Sequence, residues 1–121
     1  MTASETDSDL TAAITLFNRG EYLAAHEVLD DLWEATSGPE ADFYKGLIQA
    51  SVALHHLEEE NHDGALKLEK GARRLLASYL PAHRGLDLAR FLAVLKVRVR
   101  DAGGADASGA PRPRLDRSAG A

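Results

Sequence analysis

The sequence predicts an all-α protein, a compact five-helix bundle built from two tetratricopeptide-like helical hairpins and a C-terminal helix. Three observations predict it. Apolar residues recur at three- and four-residue spacings through most of the first 102 positions, the period of an amphipathic helix. Glycine and proline punctuate the chain at helix-length intervals, at Gly20, Ser37–Pro39, Asn61–Gly64 and Pro81. Strand-like alternation is absent, apart from the short run VLKVRV. A chain of 121 residues, 45% hydrophobic and 27% charged, suits one domain around one core.

The elements follow in order. Residues 1–9 read as a flexible N-terminus, with Ser8 and Asp9 as caps for a first helix from Leu10 to Arg19. Gly20 suits the left-handed end of that helix. Helix two, Glu21 to Thr36, closes at Ser37-Gly38-Pro39, and Pro39 opens helix three, which runs to about Glu60. A tight turn is expected at Asn61-His62-Asp63-Gly64. Helix four then runs from Gly64 to Leu80 and stops before Pro81, because proline disfavours helical conformation in the residue preceding it. Helix five spans Leu86 to Ala102. The single domain is thus 10–102, and 103–121 reads as a disordered Ala/Gly/Pro/Arg tail, too poor in large apolar residues to pack.

Composition narrows the functional classes. A net charge of -5 gives no general attraction to phosphate backbones, so nucleic acid is not an expected partner. Zero cysteines exclude disulfides, thiol nucleophiles and thiolate metal sites, and leave histidine and carboxylates as ligands for any divalent metal. The acidic N-terminus lacks the pattern of a secretory signal and no apolar run is long enough for a bilayer, which points to a cytoplasmic protein without membrane contact.

Helices four and five predict plain amphipathic faces: Leu68, Ala72, Leu75, Leu76 and Tyr79 on one, and Leu88, Phe91, Leu92, Leu95 and Val99 on the other. Arg73, Arg74, Arg98 and Arg100 read as solvated. Helix three differs. Phe43, Leu47, Ala50, Leu54 and Leu57 cover one side, while Ile48 and Val52 extend the apolar coat. Within that coat runs a polar strip of Lys45, Gln49 and His56, with Asp42 at its edge, and buried polar groups require partners. Helix two offers them. Tyr22, Ala25, Leu29, Leu32 and Trp33 form its apolar face, with His26 on the rim, Asp30 one turn on and Glu27 rotated towards solvent. Packing of the two helices would make a pocket of His26, Glu27, Asp30, Lys45, Gln49 and His56, walled by Trp33. His62 and His83 fall in turns and carry no pattern.

His26-Glu27-Val28-Leu29-Asp30 approaches the H-E-x-x-H zinc helix, but Asp30 stands where the second histidine belongs. No phosphate loop or nucleophile elbow is present. LTAAITLFNRGEYLAAHEVLDDLW is echoed by ASVALHHLEEENHDGALKLEKGARRLL, with Ala25 matching Ala65, a faint repeat of tetratricopeptide-like hairpins.

FNRGEYLAAHEVLDDLW, GLIQASVALHH and EENHDGALKL, in that order and spacing, resemble the small helical prokaryotic family catalogued as domain of unknown function 309. The family pattern falls on Phe17, Gly20, Tyr22, His26, Glu27, Trp33, Gly46, Gln49, His56, Asn61, Gly64 and Ala65. Asp30 stands where the family usually has a second glutamate. The HH pair offers His55 and His56 for one position, and helical geometry favours His56. The resemblance implies a helical bundle without an established activity, and such proteins carry the label of predicted metal-dependent hydrolase.

Two functions are consistent with these residues. The first is a binding module in which Lys45 and Gln49 recognise a carboxylate or amide of a small molecule or peptide. The second is a metal-dependent hydrolase in which His26 and His56, with Glu27 or Asp30, hold a divalent metal that activates water. The binding module is favoured, and a homo-oligomer is compatible with either.

Overall fold

The computed structural model describes residues 3–102 and 112–116. Five helices form an all-α bundle: α1 (Ala3–Asn18), α2 (Tyr22–Glu34), α3 (Glu40–Glu58), α4 (His62–Leu76) and α5 (Leu88–Asp101). A single 3₁₀ turn, Ala77–Tyr79, extends α4, and two two-residue strands, β1 (Ala82–His83) and β2 (Leu86–Asp87), pair antiparallel between α4 and α5. Each helix packs against the next, most extensively α3 against α4, and α5 also touches α3. No described helix is long and apolar enough to cross a membrane.

The expected apolar faces account for much of the core. All five residues predicted for α5, Leu88, Phe91, Leu92, Leu95 and Val99, are buried. Helix α3 buries most of its circumference, including Phe43, Tyr44, Leu47, Ala50 and Leu54. Phe17 packs edge-on against both Tyr22 and Phe91, with ring centroids 5.2 and 5.5 Å apart, and so joins α1, α2 and α5. Gly20 closes α1 at φ +85°, the left-handed conformation its sequence position suggests.

Several boundaries differ from expectation, each for a local reason. The turn after α3 falls at Glu59 and Glu60, not at 61–64. Glu60 takes the left-handed φ of 59°, and Asn61 caps α4 by accepting from the Gly64 amide at 3.0 Å. VLKVRV is helical within α5. Arg84 and Gly85, at φ 50° and 79°, form the two-residue turn between β1 and β2, a conformation requiring positive φ at both positions. The buried stripe of α4 is Ala65, Glu69, Ala72 and Leu76, whereas Leu68 and Leu75 are half-buried. Glu69 therefore occupies a core position. Arg73, expected to be solvated, is half-buried and brings Nε to 2.5 Å from Glu69 Oε2, an ion pair without hydrogen-bond alignment.

The largest correction concerns the tail. Residues 112–116 are not a disordered segment: Leu115 is 2% exposed and belongs to the core, and Pro113 is buried. Asn18 grips the backbone of Leu115 twice, donating to its carbonyl at 3.0 Å and accepting from its amide at 2.9 Å. The Asp87 amide donates to the Asp116 carbonyl at 3.2 Å. One leucine held by reciprocal hydrogen bonds suffices to order a short segment that composition alone assigns to solvent. The rest of the expected tail, 103–111 and 117–121, lies outside the described residues, as do positions 1 and 2 of the expected N-terminus; residues from Ala3 onward belong to α1.

Candidate functional site

Helix α3 runs between α2 and α4, and its polar strip divides between them. Lys45 is exposed, not buried, and its Nζ lies 5.8 Å from the centre of the Trp33 ring on α2, within cation–π range. Trp33 is itself exposed, at 36% of its surface, and so is not the core wall its spacing from Leu29 and Leu32 suggests. Successive helical residues lie about 100° apart, so Trp33 lies about 40° beyond Leu29, at the edge of the apolar face, where small rotations of the helix decide burial.

Gln49 turns the other way. Its Oε1 lies where a β-carbon at Gly71 of α4 would be, so glycine there gives the amide room against the helix backbone. A mid-helix glycine costs about 1 kcal/mol relative to alanine, and the approach of Gln49 gives it a purpose. Gly46 serves the same seam: a β-carbon there would come within 2.6 Å of Leu76 Cγ.

His56 is part of the turn rather than of a pocket with His26. Asn61 Nδ2 donates to His56 Nδ1 at 3.3 Å while Asn61 Oδ1 accepts from Gly64, and a β-carbon at Gly64 would lie 2.5 Å from Asn61 Nδ2. Accepting at Nδ1 assigns the proton of a neutral imidazole to Nε2. His55 lies apart from this network, 3.8 Å from Glu59.

His26 and Asp30 are half-buried and Glu27 is exposed. None of these three side chains has a hydrogen bond or ion pair to another described residue. On the α2 surface, Trp33, His26, Asp30 and Leu23 follow one another around a single arc. Leu23 is 49% exposed. The face is open and mixed in character, with two large apolar side chains flanking a histidine and a carboxylate.

The proposed metal set does not fit this geometry. Among the described residues no group of three His, Asp or Glu side chains is placed to hold one ion. His56 is committed to Asn61, and Glu27 lies about 100° around α2 from His26, at the far end of the arc. A catalytic metal site needs its protein donors about 2.0–2.2 Å from a single point.

Two polar features went unrecognised in the sequence. At the start of α3, Glu40 accepts from His83 Nε2 at 2.8 and 3.0 Å and from Arg84 Nε at 2.7 Å. Burial alone would raise the Glu40 pKa, but the hydrogen bonds from Arg84 and His83 outweigh it and hold the carboxyl below its ordinary range. His83 also packs edge-on against Phe43, and the Tyr79 hydroxyl donates to the Pro39 carbonyl. This cluster clasps the hairpin to α3. The second feature is His62, whose Nε2 donates to the Val99 carbonyl at 2.9 Å, satisfying a carbonyl in the last turn of α5. Only the turn geometry and contacts distant in sequence disclose either one.

Comparison with known proteins adds the family. Residues 10–68 match the family model described as "Domain of unknown function (DUF309)". The chain is 32% identical over 81 residues to an uncharacterized protein of Aquifex aeolicus, covering 66% of this chain and 24% of that protein. It is 32% identical over 82 residues to the uncharacterized protein YpuF of Bacillus subtilis, covering 63% of this chain and 45% of YpuF. The chain therefore spans less than half the length of either relative. With its signature blocks accounted for in one continuous bundle, the segment from Leu10 to Leu68 belongs to the domain of unknown function 309 family.

Proposed function

We propose that the protein is a tetratricopeptide-like binding module whose exposed α2 face takes a peptide. One observation carries this reading. Most residues of the family pattern serve the fold itself. Phe17, Tyr22 and Ala65 fill the core, Gly20 ends α1, Gly46 and Gln49 fit the α3–α4 seam, and His56, Asn61 and Gly64 build the turn. His26, Glu27 and Trp33 have no role of this kind. They lie at the edge and outer side of α2, and Trp33 leaves over a third of its surface in water, with Lys45 over its ring. Tryptophan is a frequent anchor of binding faces because it offers large contact area with few rotatable bonds.

The chemistry of α2 selects the partner. The helix carries Glu27, Asp30, Asp31 and Glu34 and no lysine or arginine, so it favours a peptide that places an apolar anchor on Trp33 and Leu23 and a basic side chain towards Asp30 or Glu27. His26 supplies a hydrogen bond. Gln49 faces Gly71 and takes no part, and no step through a metal enters this function.

The test is selection of a random peptide library on the full chain, with Trp33 fluorescence reporting binding to the wild type and calorimetry comparing wild type with Trp33→Ala. Selected sequences should pair an aromatic or large aliphatic residue with lysine or arginine. They should lose at least tenfold in affinity for Trp33→Ala. Equal retention of the same peptides by Trp33→Ala would remove the proposal.

A further inference from the structure

The four residues on the outer arc of α2 also form a row along the helix. Leu23, His26, Asp30 and Trp33 follow one another at spacings of three, four and three residues, the period of the contact row in paired helices. The row has the same form from either end: Leu23 and Trp33 lie five residues before and after Val28, and His26 and Asp30 two residues before and after it. A two-fold axis at the level of Val28 therefore sets Leu23 of one copy against Trp33 of the other, and His26 against Asp30, each pair made twice. With a rise of about 1.5 Å per residue, the two His–Asp pairs lie about 6 Å apart and the two apolar pairs about 15 Å apart.

Each of the four has something left to offer. Among the described residues three large apolar side chains are exposed: Leu23 at 49% and Trp33 at 36% form the two ends of this row, and Leu80, beyond α4, is the third. His26 and Asp30, one turn apart on the same helix, are half-buried and not bonded to each other. Half-burial makes an unanswered carboxylate costly, and the N–H of an imidazole answers it. Lys45 stays beside Trp33 and opposes the acidity of α2. Glu27, Asp31 and Glu34 are exposed to one side of the row, where their repulsion between copies is partly screened by salt and keeps the association weak and reversible.

We propose that two copies of this chain pair antiparallel through α2, about a two-fold axis at Val28, and that the pairing closes the peptide face. The second copy supplies what that face selects for: Leu23 and Trp33 as apolar anchors and His26 as the basic group for Asp30. The closing rests on the peptide-binding reading above, whereas the pairing stands on the row itself. Peptide and second copy occupy one surface, so a bound peptide draws the equilibrium towards the monomer.

Sedimentation equilibrium of the full chain, from micromolar to millimolar concentration, tests the pairing. A reversible monomer–dimer equilibrium is expected. Leu23→Ala and His26→Asp should each weaken it about tenfold or more, because symmetry makes every substitution count twice. His26→Asp sets carboxylate against carboxylate; adding Asp30→His to the same chain exchanges the two groups and should restore the pairing to within about threefold of wild type. Leu23→Ala, at an exposed position, keeps the comparison if the polar variants do not fold. A chain that stays monomeric at millimolar concentration overturns the proposal and leaves the peptide reading intact, and so does a dimer indifferent to Leu23→Ala and to the exchange. A dimer that obeys these variants but yields no library peptide upholds the pairing and removes the peptide reading instead. A selected peptide that binds without dissociating the dimer overturns the closing of the face.

Discussion

The half of the chain that carries the family signature and the half that follows it use polar groups differently. Up to residue 68, the signature places Glu40, Gln49 and Asn18 on helices whose own neighbours do not answer them. After residue 68, Gly71, His83, Arg84 and Leu115 supply the answer: a notch for an amide, two donors for a carboxylate and a backbone edge for a side-chain amide. The difference teaches that the signature does not close on itself. Against that background the outer face of α2 stands apart, because His26, Glu27 and Trp33 receive nothing comparable from the second half.

The largest effect should come from removing the C-terminal partner. Deleting 112–121 takes away Leu115 and strands Asn18. The cost should reach about 2–5 kcal/mol, the range for truncating a buried leucine. For a domain of this size that is a fall of roughly ten degrees or more in melting temperature. Thermal denaturation of the truncated chain measures it, and an unchanged transition would show that the two halves are independent.

The α3–α4 seam gives a sharper contrast between two glycines. Gly46→Ala drives a methyl group into Leu76, which is fully buried and has nowhere to retreat, so it should destabilise by about 1–3 kcal/mol despite the better helix propensity of alanine. Gly71→Ala meets only the end of the flexible Gln49 side chain. Displacing that amide should nearly cancel the propensity gain, leaving stability within about 1 kcal/mol of wild type. Urea unfolding of the two variants separates them.

How much of this was legible in sequence depended on whether the deciding contact was local. The face of α5, Leu88 to Val99, was readable because one helix period determines it. Gly20 was readable because a helix end needs a left-handed residue. Leu115 was not, since its burial depends on Asn18, far away in the chain, and a lone leucine among prolines and arginines has no period. His83 and Arg84 were hidden by a hairpin of two-residue strands, too short for alternation to register. Glu69 was hidden because a charge is expected on the solvated side of a helix and here lies on the buried one. In the candidate site, His26, Glu27, Asp30 and Trp33 were named from sequence, but Leu23 was not and Trp33 was expected in the core, while His56 and Gln49 have a different neighbour from the one expected: a strip on α3 can face α2 or α4, and periodicity does not choose.

Asn61 tests the turn that claims His56. Asn61→Ala should cost about 1 kcal/mol, as expected for loss of an N-cap, and should shift the His56 imidazole resonances in NMR spectra. A variant with wild-type stability and unaltered His56 signals would release His56 from the turn and make it available to a ligand.

A smaller effect should come from the Glu40 clasp, and it should depend on pH. With its pKa held below 4.5 in the folded state, Glu40 contributes stability above the ordinary carboxylate value and loses it as pH falls through the lowered one. Glu40→Gln should therefore be less stable than wild type at neutral pH, with the gap closing below about pH 4.5. Chemical denaturation across that interval checks the sign, and a gap independent of pH would mean that the carboxylate charge contributes nothing.

The smallest effect is the most informative. Trp33→Ala would cost about 3–5 kcal/mol if the ring were in the core, whereas surface substitutions usually fall within about 0.5 kcal/mol. Urea denaturation of Trp33→Ala, followed by circular dichroism so that loss of the fluorophore does not matter, tests directly whether the outer face of α2 is free of structural duty. The predicted result is a loss below about 1 kcal/mol, consistent with a ring at the edge of the apolar face, 36% exposed and beside Lys45. A loss of about 3 kcal/mol or more would place Trp33 within the structural framework, and would contradict the claim that this face is kept for a partner.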